Sequence, residues 1–106
     1  MSQIQHMVLL KFKPEVTHEK IEDIFNSLAQ LQQLIPGITY LASGPYSSNE
    51  GLNQGYTHGF LMTFESASAR DAYLPHPEHE RFKAEIFPCL DNFIIFDFEA
   101  SAAPLS

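Results

Sequence analysis

Apolar and polar residues alternate along the segment Ile4–Phe12. Its even-numbered positions are apolar except for His6, whereas its odd-numbered positions mix polar residues with Met7 and Leu9. A period of two is the side-chain period of a β-strand. The segment therefore predicts a strand with one face suited to a core and one mixed face.

The next pattern has a period of three to four residues and predicts a long amphipathic helix. Thr17 is a suitable N-cap, so this helix is expected to begin at His18, and Pro36-Gly37 is expected to end it. His18 falls on the exposed first turn, where no chemical role is expected. The apolar stripe of the helix comprises Ile21, Ile24, Phe25, Leu28, Leu31 and Leu34 with Ile35.

Three further strands are predicted, at Ile38–Ala42, Tyr56–Phe64 and Asn92–Phe98. The last is apolar on both faces, as expected of a central or doubly covered strand. Between the third and fourth strands, prolines divide a helical stretch into a helix over Ala67–Tyr73 and another from Pro77 to about Phe87.

The order strand–helix–strand–strand–helix–strand predicts a ferredoxin-like α+β sandwich with its helices on one face of the sheet. We assign residues 1–99 to one domain and 100–106 to a flexible tail. The other sheet face would carry more apolar surface than a small monomer leaves in water, so a homodimer forming a shared eight-stranded barrel is expected. The expected members of that face are Met7, Leu9, Leu41, Gly59, Leu61 and either Ile94 or Ile95.

The charge of the chain limits the classes of partner that are expected, and its cysteine content indicates the cellular compartment. Thirteen acidic and six basic residues give a formal charge of −7, and no basic stripe is present, so neither nucleic acid nor an anionic membrane is an expected partner. Cys89 is the only cysteine, which precludes an intrachain disulfide and fits a reducing compartment. Because Met7–Leu10 is too short for a signal or a membrane span, we expect a cytoplasmic protein.

The segment Tyr73-Leu-Pro-His-Pro-Glu-His-Glu-Arg-Phe82 holds the most concentrated candidate chemistry. With Pro77 in the first helical turn, His76 is placed near the N-cap and His79 in the first turn. The positive end of the helix dipole favours a neutral imidazole at His79, which is the form that acts as a general base. Taken alone, however, the segment favours a simple cap at His76 and a surface residue at His79.

His6 and His58 lie in the same relation to apolar neighbours, each on an apolar strand face. Taken alone, His6 is better interpreted as a core-edge histidine bonded to a backbone carbonyl. A metal site built from these two residues with His76 and His79 is not expected, because no carboxylate or cysteine joins them at a ligand spacing. Cys89 has no positive partner and is not an expected nucleophile, and no cofactor motif is recognised.

Several motifs occur together and in a fixed order along the chain. As a group they resemble the stress-responsive α/β-barrel (Dabb) domain family, from about Ile4 to Phe98. The resemblance implies a dimeric α/β barrel, which agrees with the fold predicted above. The motifs are His6-Met-Val-Leu-Leu-Lys-Phe-Lys13, Gly55-Tyr-Thr-His-Gly-Phe60, Thr63-Phe-Glu-Ser66, Tyr73…His76-Pro-x-x-His79…Phe82 and Ile94-Ile-Phe-Asp97.

Within that family, the motifs resemble in particular those of a plant polyketide cyclase that performs an intramolecular aldol closure without a cofactor. The resemblance implies that Tyr73 and His79 form a catalytic pair. Leu28 and Leu90 stand where larger aromatic residues line the cyclase pocket, so a differently shaped pocket is implied. The candidate substrate-binding residues are His6, His58, Phe25, Leu28, Phe60, His76 and Leu90.

Two functions remain open from the sequence. The first is a dimeric stress-related protein that binds a small apolar ligand in a pocket lined by histidine and tyrosine, with no established reaction. The alternative is a cofactor-independent, cyclase-like enzyme acting on a small carbonyl compound. In that enzyme His79 would remove a proton alpha to the carbonyl, and Tyr73 would hydrogen-bond the developing enolate oxygen.

Overall fold

The computed structural model describes residues 2–101. The predicted order of elements is confirmed, with small shifts at their ends. No helix among these residues has the length and apolar character needed to cross a bilayer. The elements are β1 (Ile4–Phe12), α1 (His18–Leu34), β2 (Ile38–Pro45), β3 (His58–Phe64), α2 (Ala67–Tyr73), α3 (Pro77–Ile86), a 3₁₀ turn (Phe87–Cys89) and β4 (Leu90–Glu99).

The four strands form one antiparallel sheet in the order β2-β3-β1-β4. Along β1 the even-numbered residues are buried beneath the helices, and Met7 and Leu9 are exposed on the opposite face. The core joins that buried face to Ile24, Leu28 and Leu31 of α1. This is the predicted ferredoxin-like sandwich, with helices on one face of the sheet.

β4 differs from the prediction of a central or doubly covered strand. It lies at the edge of the sheet, and most of its side chains are exposed; Phe96, for example, is 61% exposed. Its two apolar faces lie on opposite sides of the sheet. Ile95, paired with the buried Val8, lies on the helix side, whereas Ile94, paired with Leu9, lies on the open face.

Leu41 also differs from its predicted position on the open face. The pairing of β2 with β3 shifts between Ile38 and Tyr40, and such a bulge moves the residues that follow it to the opposite face. Leu41 is therefore opposite the buried Met62 and packs against the core.

Hydrogen bonds hold the first turn of α1 and the residue that follows β4. The Thr17 side chain accepts a hydrogen bond from the Lys20 amide at 3.1 Å, as expected of the predicted N-cap. At the start of the predicted tail, the Ala100 amide donates to the Gln3 carbonyl at 2.8 Å. Residues 102–106 of that tail lie outside the described residues.

Gly37, in the turn after α1, has a φ of +94°, and a Cβ there would lie 2.7 Å from the Ala69 Cβ. We expect Gly37→Ala to lower the free energy of unfolding by about 1–3 kcal/mol, because the backbone is strained and the new methyl group clashes. Urea denaturation measures this change. Gly44→Ala is the control, because a Cβ at Gly44 meets open space; equal loss in both variants would contradict the explanation.

Candidate active site

A cavity of ≈ 430 Å³ lies between the β1–β4 side of the sheet and helices α2 and α3. Its walls are predominantly apolar, and a few polar side chains reach them. A cavity of this size holds a small organic molecule. Its lining residues are His6, Val8, Leu10, Phe60, Tyr73, Leu74, His79, Phe82, Lys83, Ile86, Phe87, Leu90, Phe93, Ile95 and Asp97.

Tyr73 and His79 meet in this cavity because the chain turns sharply between α2 and α3. The His76 amide donates to the Tyr73 carbonyl at 3.0 Å in that turn, and Pro77 begins α3. The turn brings the phenol and imidazole rings into a stack with centroids 4.0 Å apart and planes inclined by 28°. The two residues that the family resemblance pairs are therefore in direct contact.

His79 has one ring nitrogen tied to the backbone. Its Nδ1 lies 3.0 Å from the Leu74 carbonyl oxygen, which only accepts, so Nδ1 carries the proton. In the neutral ring Nε2 is then left with its lone pair. Burial lowers the pKa of His79, and the positive charge of Lys83 acts in the same direction, against the opposing effect of the Leu74 hydrogen bond. The ring is thus held ready to accept a proton.

The Tyr73 hydroxyl is the matching donor. Tyr73 is only 1% exposed, and no residue within 2–101 hydrogen-bonds its hydroxyl. No fully buried polar side-chain atom in that range lacks a partner, so the hydroxyl is reached from the cavity that Tyr73 lines. Burial, reinforced by the charge of Asp97, raises the pKa of Tyr73. The phenol consequently stays protonated and remains a donor.

His6 enters the cavity from β1 and is bound to β4 and α2 through one carboxylate. Its Nδ1 lies 2.6 Å from Asp97 Oδ1, and the other oxygen, Oδ2, accepts a hydrogen bond from Arg70 Nη1 at 3.0 Å. The His6 ring is 5.9 Å from the Tyr73 ring between centroids. The cavity therefore has a second histidine near the Tyr73–His79 pair.

Two other predicted site residues, His58 and Phe25, lie in a separate groove. His58 contacts Phe25 with ring centroids 5.5 Å apart, and both line a space beside α1 with His18 and Pro45. Burial and the neighbouring His18 lower the pKa of His58. On β3, His58 pairs with Leu10 rather than with His6, so this register places it away from the central cavity.

The remaining predicted residues divide between cavity, core and cap. Phe60 and Leu90 line the cavity. Leu28 is 1% exposed and packed within the core. His76 caps α3, its Nδ1 accepting from the Glu78 amide at 3.1 Å, and it lines a groove away from the cavity.

Residues 4–100 match the model of the Stress responsive A/B Barrel Domain (Dabb) family. The chain belongs to the Dabb family. A stress-response A/B barrel domain-containing protein of Arabidopsis thaliana, HS1, is 36% identical over 96% of this chain and 94% of its own length. Olivetolic acid cyclase of Cannabis sativa is 30% identical over 90% of this chain and 94% of its own.

A solved structure agrees with the fold and is described as dimeric. A dimeric ferredoxin-like protein of unknown function from Jannaschia sp. superposes with a TM-score of 0.82 at 29% identity, covering 92% of this chain and 99% of its own. The ferredoxin-like fold of the chain is therefore shared with a protein described as dimeric.

Sequence reasoning missed several cavity residues of this Dabb chain. Asp97 carried the clearest signal, because it is the one charge within the apolar run Phe93–Phe98. No such signal marked Lys83, Phe87 and Phe93. A lysine on a helix surface or a phenylalanine near a strand edge is common without any role in a cavity. Within residues 2–101 no three histidine, cysteine, aspartate or glutamate side chains are grouped in a way that could hold a metal ion.

Proposed function

We propose that the chain binds a small, predominantly apolar carbonyl compound in the central cavity and removes a proton alpha to its carbonyl group. The observation that carries this proposal is the contact between Tyr73 and His79 inside the cavity. One ring supplies a proton acceptor and the other supplies a hydrogen-bond donor. The likeness to olivetolic acid cyclase supports the same chemistry.

In the proposed step, His79 Nε2 takes the proton and the electrons of the C–H bond move onto the carbonyl oxygen. The Tyr73 hydroxyl donates a hydrogen bond to that oxygen as its negative charge develops. The apolar walls favour the step, because hydrogen bonds to a developing charge are stronger where water is excluded. The resulting enolate carbon is the nucleophile of an aldol reaction, the class of reaction implied by the resemblance.

A second candidate is binding without turnover, with the same histidines acting only as satisfied polar groups. It is favoured by the predominantly apolar lining of the cavity and by the ties of His6 and His79 to Asp97 and the Leu74 carbonyl. The two candidates make different predictions for a ligand's alpha protons. Binding alone leaves those protons in place, whereas enolisation exchanges them with solvent.

The test is proton–deuterium exchange in D₂O, followed by the loss of alpha-proton signals in NMR spectra. Acetophenone and 2-heptanone are suitable probes, because each joins an enolisable carbonyl to an apolar body. Faster exchange with the protein than in buffer supports enolisation. If both ketones bind without any acceleration of exchange, binding without turnover replaces the enzyme proposal.

The pH dependence of exchange tests the role of His79. A base works in its deprotonated form, so the rate should rise with pH through the His79 pKa and then level off. Burial lowers that pKa from the ordinary 6.5, so the midpoint of kcat/KM against pH is expected below 6.5. A midpoint above 6.5 would assign the base role to another group.

We further propose that the functional unit is a homodimer formed through the open sheet face. The apolar side chains there are Met7, Leu9, Ile94, Phe96 and Phe98, each more than a third exposed in the single chain. Together they form a patch suited to a second copy of the same sheet. The dimeric description of the Jannaschia protein supports this arrangement.

A further inference from the structure

We propose that Asp97, held by Arg70, is a positioning residue that fixes His6 with its proton on Nδ1, so that Nε2 faces the cavity as a second acceptor. Its consequence for turnover rests on the function proposed above. The fixed tautomer of His6 does not depend on that function and is tested separately.

The contact between His6 and Asp97 places the His6 proton on Nδ1. Asp97 Oδ1 lies 2.6 Å from that nitrogen, and an ionised carboxylate only accepts hydrogen bonds. His6 is 4% exposed, yet it has no other hydrogen-bond partner within residues 2–101. Because no fully buried polar atom in that range is left unpaired, Nε2 is reached from the cavity that His6 lines.

Arg70 fixes the carboxylate itself. It donates from Nη1 to Asp97 Oδ2 at 3.0 Å and from Nε to Asp71 Oδ1 at 2.8 Å. The contact joins α2 to β4, so Asp97 cannot rotate without losing its hydrogen bond to Arg70. Such an outer partner orients a histidine and selects its tautomer.

The rings of Tyr73, His79 and His6 then present one donor and two acceptors to a ligand. Of the other polar groups on the cavity wall, the Lys83 ammonium is paired with Glu80, and the two Asp97 oxygens are bonded to His6 and Arg70. Tyr73 donates, and the Nε2 atoms of His79 and His6 accept. A ligand that satisfies all three carries a carbonyl group with an adjacent C–H and, elsewhere, a hydroxyl or enol group that donates to His6. The inferred substrate class is therefore a carbonyl compound bearing a second, protonated oxygen, such as a hydroxyketone or a diketone in its enol form.

Asp97→Asn is the deciding variant. Asparagine has one side-chain oxygen, and Arg70 is able only to donate to it, so the oxygen is expected to stay with Arg70 and the amide NH₂ to face His6 Nδ1. That nitrogen must then accept, and the His6 proton moves to Nε2. Long-range ¹H–¹⁵N NMR correlations on the imidazole distinguish the two tautomers at about pH 8, where histidine is ordinarily neutral.

Asp71→Asn is the matched control. It removes the other carboxylate that contacts Arg70, but the Asp71 side chain is 66% exposed and does not touch His6. We expect Nδ1–H in the wild type and in Asp71→Asn, and Nε2–H in Asp97→Asn. An Nε2–H tautomer in the wild type overturns the assignment without any variant, as does an unchanged tautomer in a folded Asp97→Asn protein.

Turnover distinguishes this inference from the proposed function. With a hydroxyketone probe, hydroxyacetone, Asp97→Asn is expected to slow exchange by about tenfold to a hundredfold relative to Asp71→Asn. If the tautomer switches while the two variants exchange equally fast, His6 has no part in turnover and the inferred role is overturned. If the tautomer switches but no probe exchanges with the wild type, the positioning of His6 stands and the proposed function fails.

Discussion

Replacing His79 with alanine is expected to slow alpha-proton exchange by about 10²- to 10⁴-fold, the usual contribution of a general base. His79 is the histidine that contacts Tyr73 in the cavity, and its Nε2 is free to accept once Nδ1 donates to Leu74. The ring is only partly buried, so its removal should leave the fold intact. NMR exchange rates with acetophenone, together with circular dichroism, measure both effects.

His76→Ala is the matched control, because it removes an imidazole from the same segment but from outside the cavity. It should leave the exchange rate unchanged. Loss of its cap to the Glu78 amide should instead lower the free energy of unfolding by about 0.5–2 kcal/mol. Exchange that survives His79→Ala and is lost in His76→Ala would reverse the assignment of the base.

Replacing Leu9 with glutamate is expected to convert the proposed dimer to monomers or to insoluble protein. Leu9 lies on the open face, opposite Ile94 on the paired strand β4. In a face-to-face dimer each copy would bury the new carboxylate against an apolar sheet without a counter-charge, which is strongly unfavourable. Size-exclusion chromatography with light scattering measures the mass of the particle.

Leu34→Glu makes the same chemical change on the helix layer. Leu34 ends α1 and is as exposed as Leu9, so the variant should keep the mass of the wild type. A folded Leu9→Glu protein with an unchanged dimer mass would show that the interface lies on another surface.

The order of the elements could be predicted from the sequence, because strands and helices have different side-chain periods and the spacing of apolar residues shows which period a segment has. The position of β4 was predicted wrongly, because a strand that is apolar on both faces can lie either at the centre of a sheet or at its edge, and the pattern does not distinguish the two. In this fold one face of β4 borders a cavity and the other is the open face. Leu41 was misplaced because the bulge at Ile38–Tyr40 depends on the pairing with β3, which is not visible within β2 alone.

The Tyr73–His79 pair was implied by the family resemblance, because the local pattern alone favoured a surface residue at His79. Tyr73 and His79 share one short segment, so the turn between two helices suffices to bring them together. His6 and His58 carry equivalent local signals, but only His6 has Asp97 opposite it in the sheet, and only His6 lines the central cavity. The separation of the two histidines depends on strand register, which local pattern does not determine.

We propose that the cavity beside Tyr73, and not the groove beside His58, binds the carbonyl ligand. Intermolecular nuclear Overhauser effects between bound acetophenone and the aromatic rings of the protein test it most directly. We predict contacts from the ligand to the rings of Tyr73, His79 and Phe60. Contacts confined to Phe25 and His58 would contradict the claim.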